Sequence, residues 1–180
     1  MEISNILGLP AHPLLVHAAV VLTPLAALAL AVCALWPAAR QRFGWIAAGL
    51  AVATAVLIPL VLSSGESLEG RVTETALVEK HANLGEQLLP WSVALAVLGL
   101  ALMFVHRRQR RAMSATASGT DDAPAPRRFG GPVLMVISGL LLVAAVGSTV
   151  QVALIGHSGA QAVWSETTTN QPTTPAPDAD

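Results

Sequence analysis

The chain has 180 residues, of which 53% are hydrophobic and 12% charged, and a formal net charge of -1. A soluble globular domain carries about a quarter of its residues as charges, so these figures exclude an ordinary water-soluble domain. Cys33 is the only cysteine, which excludes an intramolecular disulfide and any metal cluster built from cysteines alone.

Four apolar stretches are each about long enough to cross roughly 30 Å of hydrocarbon at 1.5 Å per residue. They run over residues 14–36, 45–62, 88–105 and 132–155, and none contains Asp, Glu, Lys or Arg. They are continuous Ala, Leu and Val runs without the period-two alternation of barrel strands. The predicted fold is therefore all-α, an integral membrane four-helix bundle, with residues 1–164 forming one membrane domain. Met1-Glu2-Ile3 lacks the positive region of a cleaved signal peptide, and Val32 before Cys33 is too bulky for a lipoprotein site, so the first span is expected to be retained. Trp36, Trp45, Trp91 and Trp164 fall near the proposed span ends, as an interfacial belt requires. Pro24 and Pro59 lie inside spans one and two, where each removes a backbone donor and bends its helix.

The connections choose an orientation. Arg40 and Arg42 lie in the first and Arg107, Arg108, Arg110, Arg111, Arg127 and Arg128 in the third, against Arg71 and Lys80 on the other side. This bias places the first and third connections in the cytoplasm, and both termini and the segment 63–87 outside, in a multi-pass protein of the plasma (inner) membrane. Beside a membrane span, the Arg107–Arg111 cluster reads as a topology signal or lipid-headgroup contact rather than as a nucleic-acid patch. A helical extension carrying Arg71 to Gln87 is predicted before the third span on the outer side. Residues 113–126 and 165–180 are rich in Ala, Ser, Thr, Asp and Pro and read as a flexible cytoplasmic linker and a disordered outer tail.

Two features suggest an internal repeat. Spans one and three each open on a histidine-bearing segment and run toward a basic connection. Spans two and four each leave the membrane through Ser-Gly, at Ser64-Gly65 and Ser158-Gly159. Two parallel hairpins related by an axis along the membrane normal explain both; chance likeness between low-complexity apolar helices is the alternative.

The predicted orientation gathers four of the five histidines at the outer end. Counting helical rise from the inner ends puts His12, His81 and His157 at one level, roughly 36 to 38 Å up, with His17 roughly 7 Å deeper. Glu66 and Glu69 reach a similar level. Leu77, His81, Leu84 and Leu88 share a helical stripe that faces the bundle, whereas Glu79, Asn83 and Glu86 share another. Gly85, one turn below His81, permits close approach. His12 precedes Pro13 and suits a helix N-cap, while His17 is an ionisable group inside an apolar span.

Three chemistries use such a layer. His17, His81, His12 and His157 are the candidate cofactor ligands, since two neutral imidazoles on facing helices hold a haem b and make an electron carrier. His12, His81 and His157 with Glu66 are the alternative set for a transition metal. Histidine with Glu66 could also relay protons or meet a quinone headgroup. Against all three stands a purely structural role, because polar side chains accumulate at membrane interfaces in any case. His106, at the basic end, reads as an interfacial residue.

Gly-Leu-Pro-Ala-His-Pro-Leu-Leu-Val-His at 8–17, His-Ala-Asn-Leu-Gly-Glu-Gln-Leu-Leu at 81–89 and Gly-His-Ser-Gly-Ala-Gln-Ala-Val-Trp at 156–164 resemble a bacterial family of four-span membrane proteins, domain of unknown function 2231. The resemblance spans about residues 6–164, and the Ala-rich composition with the Gly-His-Ser-Gly-Ala ending is similar to actinobacterial members. It implies the four-span topology and points to His12, Pro13, His17, His81, Gly156, His157 and Gly159. Relatives often carry Phe before a Pro soon after the His-Pro opening; here Ala18 stands there and the next proline is Pro24. The leading expectation is a small membrane module holding a haem or metal redox cofactor near its outer face. Its rival is a non-catalytic scaffold whose small-residue helix faces pack on another membrane subunit or on a second copy.

Overall fold

The computed structural model describes residues 5–6, 9–69, 75–117 and 130–169. Two antiparallel dipeptide strands, β1 (Asn5–Ile6) and β2 (Leu9–Pro10), precede five helices: α1 (Ala11–Leu35), α2 (Pro37–Glu69), α3 (Ala76–Glu86), α4 (Leu88–Ala117) and α5 (Gly130–Thr169). Apart from the strand pair, the described residues are helical. Four helical stretches, His12–Leu35, Pro37–Ser67, Ala76–Ser114 and Gly131–Gln161, are long and apolar enough to cross a membrane. This is a polytopic helical membrane protein in contact with the bilayer.

The helices overrun the apolar stretches read from the sequence. α4 continues to Ala117, so residues 113–117, read as linker, extend the helix; alanines favour this, and Ser114 Oγ donates to Arg110 O at 3.0 Å. α5 likewise continues to Thr169, into the predicted tail. The remaining linker residues 118–126 and tail residues 170–180 lie outside the described residues, as does 70–74 at the start of the predicted extension. α1 begins at Ala11, which puts His12 inside the first turn rather than at the cap. Pro13 then falls among the first four residues, whose amides have no partner within the helix anyway.

α1 and α2 meet at a tight corner. Trp36 separates them, and the helical bonding persists on both sides, from Trp36 N to Val32 O at 2.8 Å and from Arg40 N to Trp36 O at 3.0 Å. Pro37 lacks the amide hydrogen that a continuous helix would need there. A second break at Gln87 separates α3 from α4. Pro90 accounts for it, since its ring cannot donate to Glu86 O and crowds that carbonyl. Thr75 caps α3, its side chain accepting from the amide of Val78 at 3.3 Å.

α1, α2, α4 and α5 form a ring in which each packs on two neighbours while the diagonals barely touch, and α3 lies mainly along α5. The interior is built largely from small residues, among them Ala26, Ala27, Ala47, Ala51, Ala144 and Ala145, with Leu30, Leu95, Leu102 and Leu141 fully buried between them. Large apolar side chains such as Leu28, Ile46, Met135 and Val146 point outward instead. In water such a surface would aggregate. In lipid it is the stable arrangement, because helix association there depends on close backbone packing rather than on hiding hydrocarbon. Trp36, Trp45 and Trp164 are exposed, as a belt requires, whereas Trp91 lies over Gly147, where a side chain would collide with the ring.

Candidate functional site: a paired histidine cavity

A cavity of about 400 Å³ opens at one end of the bundle, and His12 and His81 both line it. His12 comes from α1, on the stripe His12, Val16, Ala19 and Val20 that helical spacing turns toward the cavity. His81 comes from α3, where Leu77, Leu84 and Leu88 are turned inward with it while Glu79, Asn83 and Glu86 are exposed, as their spacing predicts. Gly85 admits Leu62 of α2, whose Cδ2 would lie 3.6 Å from a Cβ there. Gln151 of α5 anchors the same segment through a 2.7 Å bond from its Nε2 to Leu84 O.

The two imidazoles are held alike. His12 Nδ1–H donates to Ser64 Oγ at 3.0 Å, and His81 Nδ1–H donates to Ser158 Oγ at 3.0 Å. The direction follows from the hydroxyls. Ser64 Oγ donates to Val61 O at 2.8 Å and Ser158 Oγ to Ile155 O at 2.9 Å, so each hydroxyl's one proton is committed and its lone pairs accept from the ring. With Nδ1–H donating to serine, Nε2 is the ring atom left available in each imidazole; His12 differs in that the Val61 backbone also bonds to its ring. Each ring also lies against a glycine: a Cβ would come within 3.1 Å of His12 Cε1 at Gly65 and within 3.0 Å of His81 Cε1 at Gly159. Any larger residue would push the ring away from its serine.

The correspondence extends to the cavity floor. Seven residues beyond His12 is Ala19, and seven beyond His81 is Leu88; six before Ser64 is Ile58, and six before Ser158 is Val152. Ala19, Ile58, Leu88 and Val152 form one buried cluster with one member from each long helix. The two Ser-Gly pairs noted in the sequence thus each receive a histidine at matching spacings, and both histidines line the one cavity.

The other candidate ligands are placed elsewhere. His17 is exposed and its Nδ1–H donates to Pro13 O of its own helix. The reason is angular: five residues carry the helix through about 500°, which turns His17 well away from the face of His12. His157 is at the right level, beside Ser158, but is rotated by about 100° from it and is exposed. Glu66 is exposed and lines the cavity together with Glu86, giving an otherwise apolar cavity two carboxylates. Among the described residues, no three His, Cys, Asp or Glu side chains are grouped as a metal ion would require. Sequence reasoning missed the serines and Gly65 as parts of the site. The signal was the Ser-Gly echo itself, which marked a repeat without revealing that each pair receives a histidine.

No curated protein and no solved structure matches the chain. The family model described as a predicted membrane protein of type DUF2231 matches residues 8–172, a stretch that takes in both histidines, both serines and both glycines. The chain belongs to the DUF2231 family of predicted membrane proteins.

Proposed function

We propose that this protein is a membrane electron-transfer module in which His12 and His81 ligate one haem b through their Nε2 atoms. The observation that carries the reading is the pair of imidazoles that line one largely apolar cavity, each with its Nδ1 3.0 Å from a serine hydroxyl. Metal-ligating histidines characteristically donate their other ring N–H to a fixed acceptor, which sets the tautomer and the ring plane. Ser64 and Ser158 supply those acceptors.

Donor count and cavity size favour a haem over a bare ion. A haem brings four equatorial nitrogens and needs only two axial ligands, which is what the cavity offers. A bare ion would need a third or fourth side chain and no apolar space of about 400 Å³. With His12 and His81 both holding it, a haem would supply electron transfer rather than activation of a bound substrate. The alternative metal set of His12, His81, His157 and Glu66 lacks this support, because no three such side chains are grouped among the described residues.

Protein purified in mild detergent from haem-replete cells is expected to show a Soret band that sharpens and shifts on reduction. His12→Ala and His81→Ala should each abolish the six-coordinate spectrum, and His17→Ala should preserve it. One equivalent of metal without that band would favour the ion. A colourless, metal-free wild-type protein would sink both and leave the scaffold reading, which rests on the exposed, unpacked Gly49, Gly139 and Gly156. That reading is read out as a stoichiometric partner or a second copy in cross-linking.

The excess of arginines at the far end supports an orientation with the histidine cavity, α3 and both termini on the outer side of the plasma membrane. In a Cys33→Ala background, Ser165→Cys should react with an impermeant maleimide on intact cells and Ser118→Cys should not. The opposite pattern would invert the topology.

A further inference from the structure

The other end of the bundle holds a second recess, of about 430 Å³, between the first turns of α2 and the last turns of α4. Gln41 and Trp45 face it from α2, and His106, Arg107, Arg110 and Arg111 from α4. The spacing from His106 to Arg111 puts these cations on one helical stripe, where like charges three and four residues apart repel one another. Among the described residues no carboxylate offsets them locally, since residues 3–65 and 87–117 contain no Asp or Glu. Nearby, His106 Nε2 and Arg40 Nε are buried and unpartnered, and both Arg40 and Arg110 bear electrostatically on His106. Among the described residues, donors are in excess at this end and carboxylates are lacking. Trp45, packed edge-on against Phe104 with centroids 5.6 Å apart and itself half exposed, marks the level of the headgroups.

We propose that this groove is a binding site for a phosphate group, carried either by an anionic lipid headgroup or by a soluble phosphate ester. Arginines at helical spacing supply the forked donors that phosphate oxygens accept. Gln41 adds a neutral donor from the facing helix, and the indole of Trp45 offers an apolar wall for whatever carries the phosphate. The site is independent of the histidine cavity, which lies at the far end of the same helices.

Native mass spectrometry of the full-length protein in a neutral detergent tests this, with titration by short-chain phosphatidylglycerol, sn-glycerol 3-phosphate and, as zwitterionic control, short-chain phosphatidylcholine. One saturable equivalent of phosphatidylglycerol or of glycerol phosphate is expected, with no saturable binding of phosphatidylcholine. Binding of phosphatidylglycerol alone assigns the groove to a lipid; binding of glycerol phosphate as well assigns it to a free ester. Arg110→Gln should weaken the bound species by about tenfold or more, as loss of a charge-assisted bond does. Arg108→Gln removes the same charge from the same helix outside the groove and should weaken it by less than about twofold. Both residues are exposed, so both variants should keep the wild-type melting temperature. Equal losses in the two variants, or no saturable binding of either phosphate compound, would overturn the proposal.

Discussion

The two halves of the molecule solve the same problem with different parts. In the first, one unbroken helix carries His12 and turns into its partner through Trp36 alone; in the second, His81 sits on α3, the helix breaks at Gln87, and a long connection precedes α5. The floors differ as well, small on one side at Ala19 and large on the other at Leu88. Yet each half ends with an imidazole donating to a serine hydroxyl over a glycine at the same 3.0 Å. Helix continuity and loop length therefore do not produce the unit. What both halves share is the pairing of a histidine near the start of one helix with Ser-Gly near the end of its antiparallel neighbour.

The largest effect should come from removing either imidazole. His12→Ala and His81→Ala should abolish the bis-ligated spectrum equally, and the double variant should look no different from the singles. A spectrum lost in one variant and retained in the other would break the equivalence of the halves.

Next are the floor residues. Leu88→Ala removes a buried side chain and should lower stability by about 2 kcal/mol or more, read from chemical or thermal unfolding in detergent. Ala19→Leu instead adds a bulky side chain to the cavity floor beneath His12. It should displace the cofactor while leaving the apo fold intact, which sharpens the assignment of space within the cavity.

A smaller effect belongs to the hydroxyls. Ser64→Ala and Ser158→Ala each leave a ring N–H without its acceptor and should weaken cofactor retention by about 10- to 100-fold, to a similar extent in both halves. Retention unchanged in both would reduce the serines to helix packing. Smallest is the pair Gly65→Ala and Gly159→Ala. The added methyl helps each helix by about 0.5–1 kcal/mol but crowds the imidazole, so stability should change little while the spectrum shifts as the ring tilts.

The membrane fold was legible because its determinants are local and additive. A span needs only a run of apolar residues of sufficient length, and Leu77 to Leu88 sorted into inward and outward stripes by counting alone. Helix ends were less legible: the polar stretches at 113–117 and 165–169 continue α4 and α5, since extending a preformed helix costs far less than starting one, even through the Ser and Thr of 165–169. His17 was misread because its height was considered without its angle, and five residues is the wrong interval for sharing a face with His12.

By itself the amino-acid sequence determined the solvent, the number of spans and the candidate level of the histidines, all of which depend on composition and rise along a single helix. It also displayed the Ser-Gly echo without its meaning. Only the tertiary structure decided that His12 and His81 meet across one cavity, that Ser64 and Ser158 orient them, and that His17 and His157 stand apart. Those outcomes depend on the rotation of each helix about its own axis against its neighbours, a relation between segments 52 and 77 residues apart along the chain that no local pattern encodes.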